Sequence, residues 1–382
     1  MKLLKSVIGP ILFLILILLF SRFIISIEYG PINVLKQQLN SFDLKDIYFN
    51  SLKAETTCDP NIVVIGTDSL NNREEIAAFI DTLSSLNPAV IGIDLFFAKP
   101  KNNDSVLISC LKKNKNKIVL GSILENNKIK YSYFTQKYNF ENGLVSFDDA
   151  LEEYPKTPIR SIKNRSANSS DATSSSFSLK TLEIALKNQK KSFTHLQKLK
   201  EKEQLLINYP LNKPFIINST DELALSADFI RGKIIIMGDL NNSSDIFSTP
   251  FYNASSKNKY AALANLPGVV IHAIALDSIK NETYFRSNSW FNNFVILLFS
   301  FIIFLCLGQI HIRFHESYDL WARLFQLGAS LLLIFIYFAI LHYCRYDLNF
   351  GILFVVLVFA SDSIEIYSGI KHHYSKFIKR FK

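Results

Sequence analysis

Three acidic side chains follow apolar segments of the kind that form buried strands. Asp68 ends "VVIGTD", Asp94 ends "VIGID" and Asp239 ends "IIIMGD". A carboxylate in such a place loses hydration and needs a partner or a ligand in return. Parallel strands share one edge for their carboxyl ends, and open α/β sheets bind ligands beyond that edge. We therefore predict a ligand pocket formed by these acids and by Arg73, which follows Asp68 closely enough to pair with an acid.

Carboxylates gathered in one pocket can also hold Mg²⁺ for a phosphohydrolase. That chemistry commonly needs a second carboxylate two residues after the nucleophile. Leu70 stands at that position after Asp68, and Phe96 stands there after Asp94. The sequence also lacks GxSxG, Walker and GxGxxG motifs and any Cys/His spacing typical of zinc. We therefore predict a protein that is not an enzyme and that uses no metal or cofactor.

A structural role for the acids is the alternative to ligand binding. An aspartate after a strand often caps the following helix through backbone amides, which is worth about 1 kcal/mol. Asp94 precedes "LFFAKP" instead of an immediate helix, so capping explains it less well than it explains Asp68. Both interpretations stay open for each acid.

The histidine and cysteine residues indicate structural roles. His272 has apolar neighbours on a predicted helix, which favours a hydrogen-bonded core histidine over a base or ligand. Cys58 and Cys110 can form one disulfide if their Cα atoms lie close, or can remain two separate thiols. The sequence leaves these two possibilities open.

Apolar strands alternate with amphipathic helices between residues 60 and 280. The predicted strands are 62–65, 89–94, 117–123, 204–210, 214–220 and 232–239, and the predicted helices are 29–52, 73–86, 104–111, 177–189 and 268–279. Near-continuous apolar strands separated by helices indicate a mostly parallel sheet covered by helices on both faces. The polar, serine-rich stretch 164–176 is predicted to be a loop.

Four apolar segments predict four transmembrane helices, one N-terminal and three C-terminal, since about 20 apolar residues cross a bilayer. The first is expected to be a retained anchor, because no small-residue cleavage pattern follows it. The predicted domains are an N-terminal anchor (1–27), an extracytoplasmic α/β domain (28–289), three transmembrane helices (290–370) and a basic cytoplasmic tail (371–382).

Basic residues flanking the four segments indicate the orientation. They lie before the first segment, between the second and third, and after the fourth, which places both termini in the cytoplasm. The net charge of +9 therefore reflects membrane topology in part and does not indicate nucleic-acid binding. Asp362 and Glu365 lie close to the basic tail, where Lys371 or Lys376 is an expected partner.

The order of several motifs resembles the second class of CHASE domains, the cyclase/histidine-kinase-associated sensory extracellular domains. The motifs are "DPNIVVIGTDS", "NPAVIGIDLFF", "GLVSF…TPIRS", "FSLKTLEIAL", "LLINYP", "GKIIIMGDLNNSSDIFSTPF" and "LPGVVIHAIALDSI". Together they cover nearly all of residues 28–289. One predicted span before the domain and three after it are also similar to the architecture of this family.

The resemblance implies a sensor in a bacterial inner membrane that binds an unidentified extracytoplasmic ligand. In typical members the last span leads into a cyclase, a histidine kinase or another output domain. Only "KHHYSKFIKRFK" follows Ile370, which is too short to bury a core. We therefore expect a separate signalling protein as partner, besides membrane lipids and possible self-association. The alternative is a structural or assembly protein of the envelope that uses the α/β domain as a docking surface.

Overall fold

The computed structural model describes residues 57–125, 128–147, 159–163, 175–191, 204–210, 214–218, 226–252, 263–348 and 350–380, together with positions 8–12, 15, 45, 48, 196 and 199. The chain divides into an α/β unit, Asn40–Phe285, and a helical unit, Met1–Leu39 with Arg286–Lys382. The predicted anchor over 1–27, the predicted helix over 29–52 and the predicted loop over 164–176 lie almost entirely outside the described residues.

The α/β unit contains eleven strands and six α-helices whose bounds lie within its described residues. The strands are β1 (Ile62–Gly66), β2 (Val90–Asp94), β3 (Ile118–Glu125), β4 (Lys128–Tyr131), β5 (Asn142–Leu144), β6 (Ser161–Lys163), β7 (Gln204–Leu206), β8 (Phe215–Asn218), β9 (Ile234–Gly238), β10 (Ile246–Tyr252) and β11 (Leu263–Pro267). The helices are α1 (Arg73–Ser85), α2 (Asp104–Lys113), α3 (Thr135–Tyr138), α4 (Phe177–Asn188), α5 (Ala227–Ile230) and α6 (Gly268–Lys280).

Seven strands form one sheet in the order β4-β3-β2-β9-β1-β8, with β5 paired to β3. The pairings β1–β8, β1–β9, β2–β9, β2–β3 and β3–β5 are parallel, and β4 is antiparallel to β3. The predicted α/β class with a mostly parallel sheet is therefore confirmed. Late in the chain, β9 enters between β1 and β2, so that three strand ends become neighbours.

Helices cover both faces of this sheet. Val64 and Ile236 belong to the apolar core that contains residues of α4 and α6. Val63 and Ile235, one position earlier in their strands, belong to the core that contains residues of α1 and α2. Because successive strand side chains point to opposite faces, a strand buried on both sides must be apolar at every position. The continuous apolar runs of the sequence follow from this arrangement.

The helical unit contains three long helices among its described residues: α7 (Ser289–Arg313), α8 (Tyr318–Ala339) and α9 (Gly351–Arg380). A π-helical turn, Ile340–Cys344, extends α8. The segments Ser289–Arg313, His315–Cys344 and Gly351–Lys371 are long and apolar enough to cross a membrane. These segments match the three C-terminal spans predicted from the sequence.

Polar contacts join α8 to α9 near the start of α8. Arg323 Nη2 lies 3.3 Å from Asp362 Oδ1. Gln326 Nε2 donates to Ser361 Oγ at 2.8 Å. Asp362 thus pairs with an arginine of α8, a partner that the sequence analysis did not anticipate.

Candidate functional site

The register of the sheet brings the three predicted acids to one edge. Gly238 of β9 pairs with Gly66 of β1 on one side and with Asp94 of β2 on the other. Neighbouring strands lie about 4.8 Å apart. Asp68 and Asp239 follow the ends of adjacent strands, and Asp94 ends the next strand along.

Asp68 and Asp239 organise the turn that follows β9. The amides of Leu240 and Asn241 donate to Asp68 Oδ1 at 3.1 and 3.0 Å, and the amides of Asn241 and Asn242 donate to Asp239 Oδ1 at 3.0 Å each. Burial opposes ionisation of Asp68, but the hydrogen bonds from Asp239 and these amides outweigh it and lower its pKa. The bond to Asp68, followed by burial, raises the pKa of Asp239. Asp239 therefore keeps a shared proton to higher pH than Asp68 does.

Asp94 has a different environment. It is partly buried, and within the described part of the chain its carboxylate has no hydrogen bond and no ion pair. Burial, followed by the negative charge of Asp245, raises its pKa well above the ordinary value. Among the residues that the structure describes, Asp94 therefore neither caps a helix nor pairs with a cation, and it makes no hydrogen bond that stabilises the fold.

Two glycines allow α6 to begin close to Asp94. A Cβ atom on Gly238 would lie 2.8 Å from Val269 Cβ and 3.3 Å from Asp94 Cβ. A Cβ atom on Gly268, the first residue of α6, would lie 2.7 Å from a carboxylate oxygen of Asp245. A negative charge at a helix N-terminus is favoured by the helix dipole. Asp245 follows no apolar strand, so sequence reasoning did not single it out.

Arg73 lies on the other face of the sheet. Its Nε lies 3.6 Å from Asp104 Oδ1, and its guanidinium lies 4.3 Å from the centre of the Phe97 ring. It belongs to the first turn of α1, whose core is shared with α2. Arg73 therefore pairs with Asp104 instead of with one of the three predicted acids.

His272 is a hydrogen-bonded core residue, as the sequence analysis favoured. Its Nε2 lies 3.1 Å from the carbonyl oxygen of Val145, and its ring stacks on Phe147 with centroids 4.6 Å apart. Burial lowers its pKa to about 4. A histidine that is neutral at pH 7 and fully buried is a structural group at this position.

Cys58 and Cys110 are separate thiols in the structure. Cys110 Sγ donates to the carbonyl oxygen of Ala77 at 3.3 Å, and burial raises the pKa of its thiol to about 12. The described residues contain no group of three His, Cys, Asp or Glu side chains that could hold a metal ion. The candidate site at the sheet edge thus consists of the carboxylates Asp68, Asp94, Asp239 and Asp245.

Comparison with known families matches residues 11–310 to the CHASE2 domain. No curated protein and no solved structure matches the chain. The matched residues include all of the α/β unit and most of α7.

Proposed function

Because the chain belongs to the CHASE2 family of sensory extracellular domains, we propose that it is a multi-pass membrane sensor. Its α/β unit binds an extracytoplasmic ligand and passes the signal through the membrane helices to a separate protein. Three helices with the length and composition of membrane spans support this proposal. The distribution of basic residues supports cytoplasmic termini in a bacterial inner membrane.

The environment of Asp94 is the observation that carries this proposal. A partly buried carboxylate beside a second negative charge costs stability and is expected where function requires it. A ligand that neutralises Asp94, or donates a hydrogen bond to it, removes this cost in the bound state. To act as a signal, such a ligand must also bind two arrangements of the protein with unequal affinity.

Helix α6 provides a short covalent route from the site to the membrane helices. Its first residues lie against Asp245 and the end of β9. Its last residue is Lys280, and only the eight residues 281–288 separate it from α7. A small displacement of α6 on ligand binding can therefore reach α7 through the chain.

Replacing Asp94 with asparagine is expected to raise the free energy of unfolding at pH 7 by about 1–2 kcal/mol, because partial burial opposes ionisation of the carboxyl group, whereas an amide has no charge to bury. The folded-state pKa of Asp94 is raised, so the acid stabilises the fold at low pH and this contribution is lost as pH rises. The increase in the free energy of unfolding caused by Asp94→Asn should therefore disappear at acidic pH. Pulse proteolysis in urea on the full-length protein in detergent measures both values.

The exposed acid Asp228 provides a matched control, and Asp228→Asn should change stability by less than about 0.5 kcal/mol. A clear loss of stability in Asp94→Asn would identify Asp94 as a structural, hydrogen-bonded carboxylate. The proposal would then lose its main support.

Crosslinking in the native membrane, followed by affinity purification and mass spectrometry, tests the signalling role. Wild type and Asp94→Asn should recover the same regulatory protein, such as a kinase or cyclase, in different amounts. Recovery of only envelope components, in equal amounts from both proteins, would support the structural alternative and overturn the sensor.

A further inference from the structure

A groove of about 700 Å³ opens on the α1/α2 side of the sheet. It is lined by the connection from β1 into α1 with the first turn of α1 (residues 70–73 and 76) and by the connection from β2 into α2 (residues 95–97 and 101–103). Both connections follow the carboxyl ends of parallel strands, where open α/β sheets bind ligands. The volume lies in the range of small-molecule sites, about 300–1,000 Å³.

The lining combines positive charge, amides and an apolar wall. Arg73 and Lys101 are its charged residues, and no carboxylate belongs to the described lining. Four asparagines contribute amide groups, and leucine, isoleucine and phenylalanine side chains form the rest. A lining of this kind matches a ligand that carries an acid group on an apolar body.

Arg73 has hydrogen-bonding capacity that the described residues leave unused. Its side chain is only 9 % exposed, and its Nη1 is buried without a hydrogen-bond partner. Asp104 does not supply that bond, since its Oδ1 is 3.6 Å from Nε and is itself without a hydrogen bond. The other oxygen of Asp104 accepts from the amide of Lys101 and the hydroxyl of Tyr133, each at 2.5 Å. A buried guanidinium with a free N–H is an unusual and costly feature.

One helix N-terminus adds to the positive potential. Asp104 is the first residue of the 10-residue helix α2, and Asn103 precedes it with φ 64° and gives it no side-chain cap. The start of α1 is already capped by Asn72, and Glu75 in its first turn accepts from Asn71 and Asn72. Backbone amides at helix starts favour anions.

We infer that this groove binds a small organic acid, with its carboxylate held by Lys101 and by the free edge of Arg73 and its apolar body against Phe96. Because Nη1 is covered, binding has to uncover it. The Phe97 ring is buried and lies over the guanidinium, so the inferred binding mode requires this ring to shift. This inference rests on the proposed sensory function and assigns a second ligand site, distinct from the carboxylates at the sheet edge, because an organic acid does not neutralise Asp94.

Equilibrium dialysis of radiolabelled benzoate against the full-length protein in detergent tests the inference, with neutral benzamide as the matched probe. Benzoate should bind saturably and benzamide should not. Lys101→Met should weaken benzoate binding about tenfold, the effect of losing one charge-assisted hydrogen bond. Lys101 is exposed, so this variant should fold normally.

Lys99→Met is the matched control, because Lys99 is also exposed but lies outside the lining of the groove. Its benzoate affinity should equal that of the wild type. Equal binding of benzoate and benzamide, equal losses in the two lysine variants, or no saturable binding would each overturn the inference. Binding needs no partner protein, so this result is independent of the crosslinking test of the signalling role.

Discussion

Replacing Lys280 with methionine is expected to lower the free energy of unfolding of the α/β unit by about 3 kcal/mol, as expected for removal of one partner from a mostly buried ion pair. Lys280 Nζ lies 2.5 Å from Asp59 Oδ2, and the two side chains are 21 % and 13 % exposed. The amide of Asp59 also donates to Asp277 Oδ1 at 2.9 Å. The variant would leave Asp59 as a mostly buried charge and would weaken the link between the start of β1 and the end of α6.

Lys113 offers the matched control, because it pairs with Asp81 at 3.2 Å while the two side chains are 70 % and 40 % exposed. Lys113→Met should cost less than about 1 kcal/mol, as exposed ion pairs do. Pulse proteolysis in urea on the full-length protein in detergent measures both variants. A loss for Lys280→Met no larger than that for Lys113→Met would contradict the prediction.

Adding a second substitution, at Asp59, distinguishes two causes of the lost stability. One is the loss of the attraction between Lys280 and Asp59, and the other is the cost of leaving the Asp59 carboxylate buried without its partner. Burial opposes ionisation of Asp59, but the bonds from Lys280 and Asn61 outweigh it and lower its pKa. The contribution of Asp59 is therefore present above the ordinary aspartate pKa and is lost as pH falls through the folded-state value. Adding Asp59→Asn to Lys280→Met should recover part of the lost stability at pH 7, because no unpaired charge remains.

The sequence predicted the sheet well because its strands are buried on both faces. Such strands must be apolar throughout, and the alternation of these runs with amphipathic helices indicates parallel pairing. The insertion of β9 between β1 and β2 was not predictable from periodicity. It depends on contacts between residues far apart in the chain, yet it is what makes Asp94 and Gly238 neighbours.

The candidate site was also only partly predictable, because part of it depends on contacts between residues that are far apart in the chain. Asp68, Asp94 and Asp239 follow apolar strands, so their common edge could be expected from local pattern. Asp245 lies in a short polar segment, and only the folded chain brings it to the start of α6. Arg73 pairs with Asp104 because α1 packs against α2. No local pattern in the sequence predicts this packing.

Acidification provides the second large effect, and His272 is its source. Burial lowers the folded-state pKa of His272 to about 4, whereas an unfolded histidine titrates near 6.5. Between these values the unfolded chain binds a proton that the folded chain excludes, so stability falls as pH falls. The slope is about 1.4 kcal/mol per pH unit, which gives a total loss of about 3 kcal/mol by pH 4.

The difference between wild type and His272→Phe isolates this contribution, because Asp94, whose pKa is raised, contributes to the pH dependence with the opposite sign. The variant keeps an aromatic ring beside Phe147 but loses the bond to the carbonyl oxygen of Val145, a cost that does not depend on pH. In urea pulse proteolysis from pH 7 to pH 4.5, the free energy of unfolding of the wild type should therefore fall steadily relative to that of His272→Phe. A constant difference across this range would mean that His272 is not held neutral by burial. The pH dependence of the domain would then have to arise from its acids, such as Asp59 and those at the sheet edge.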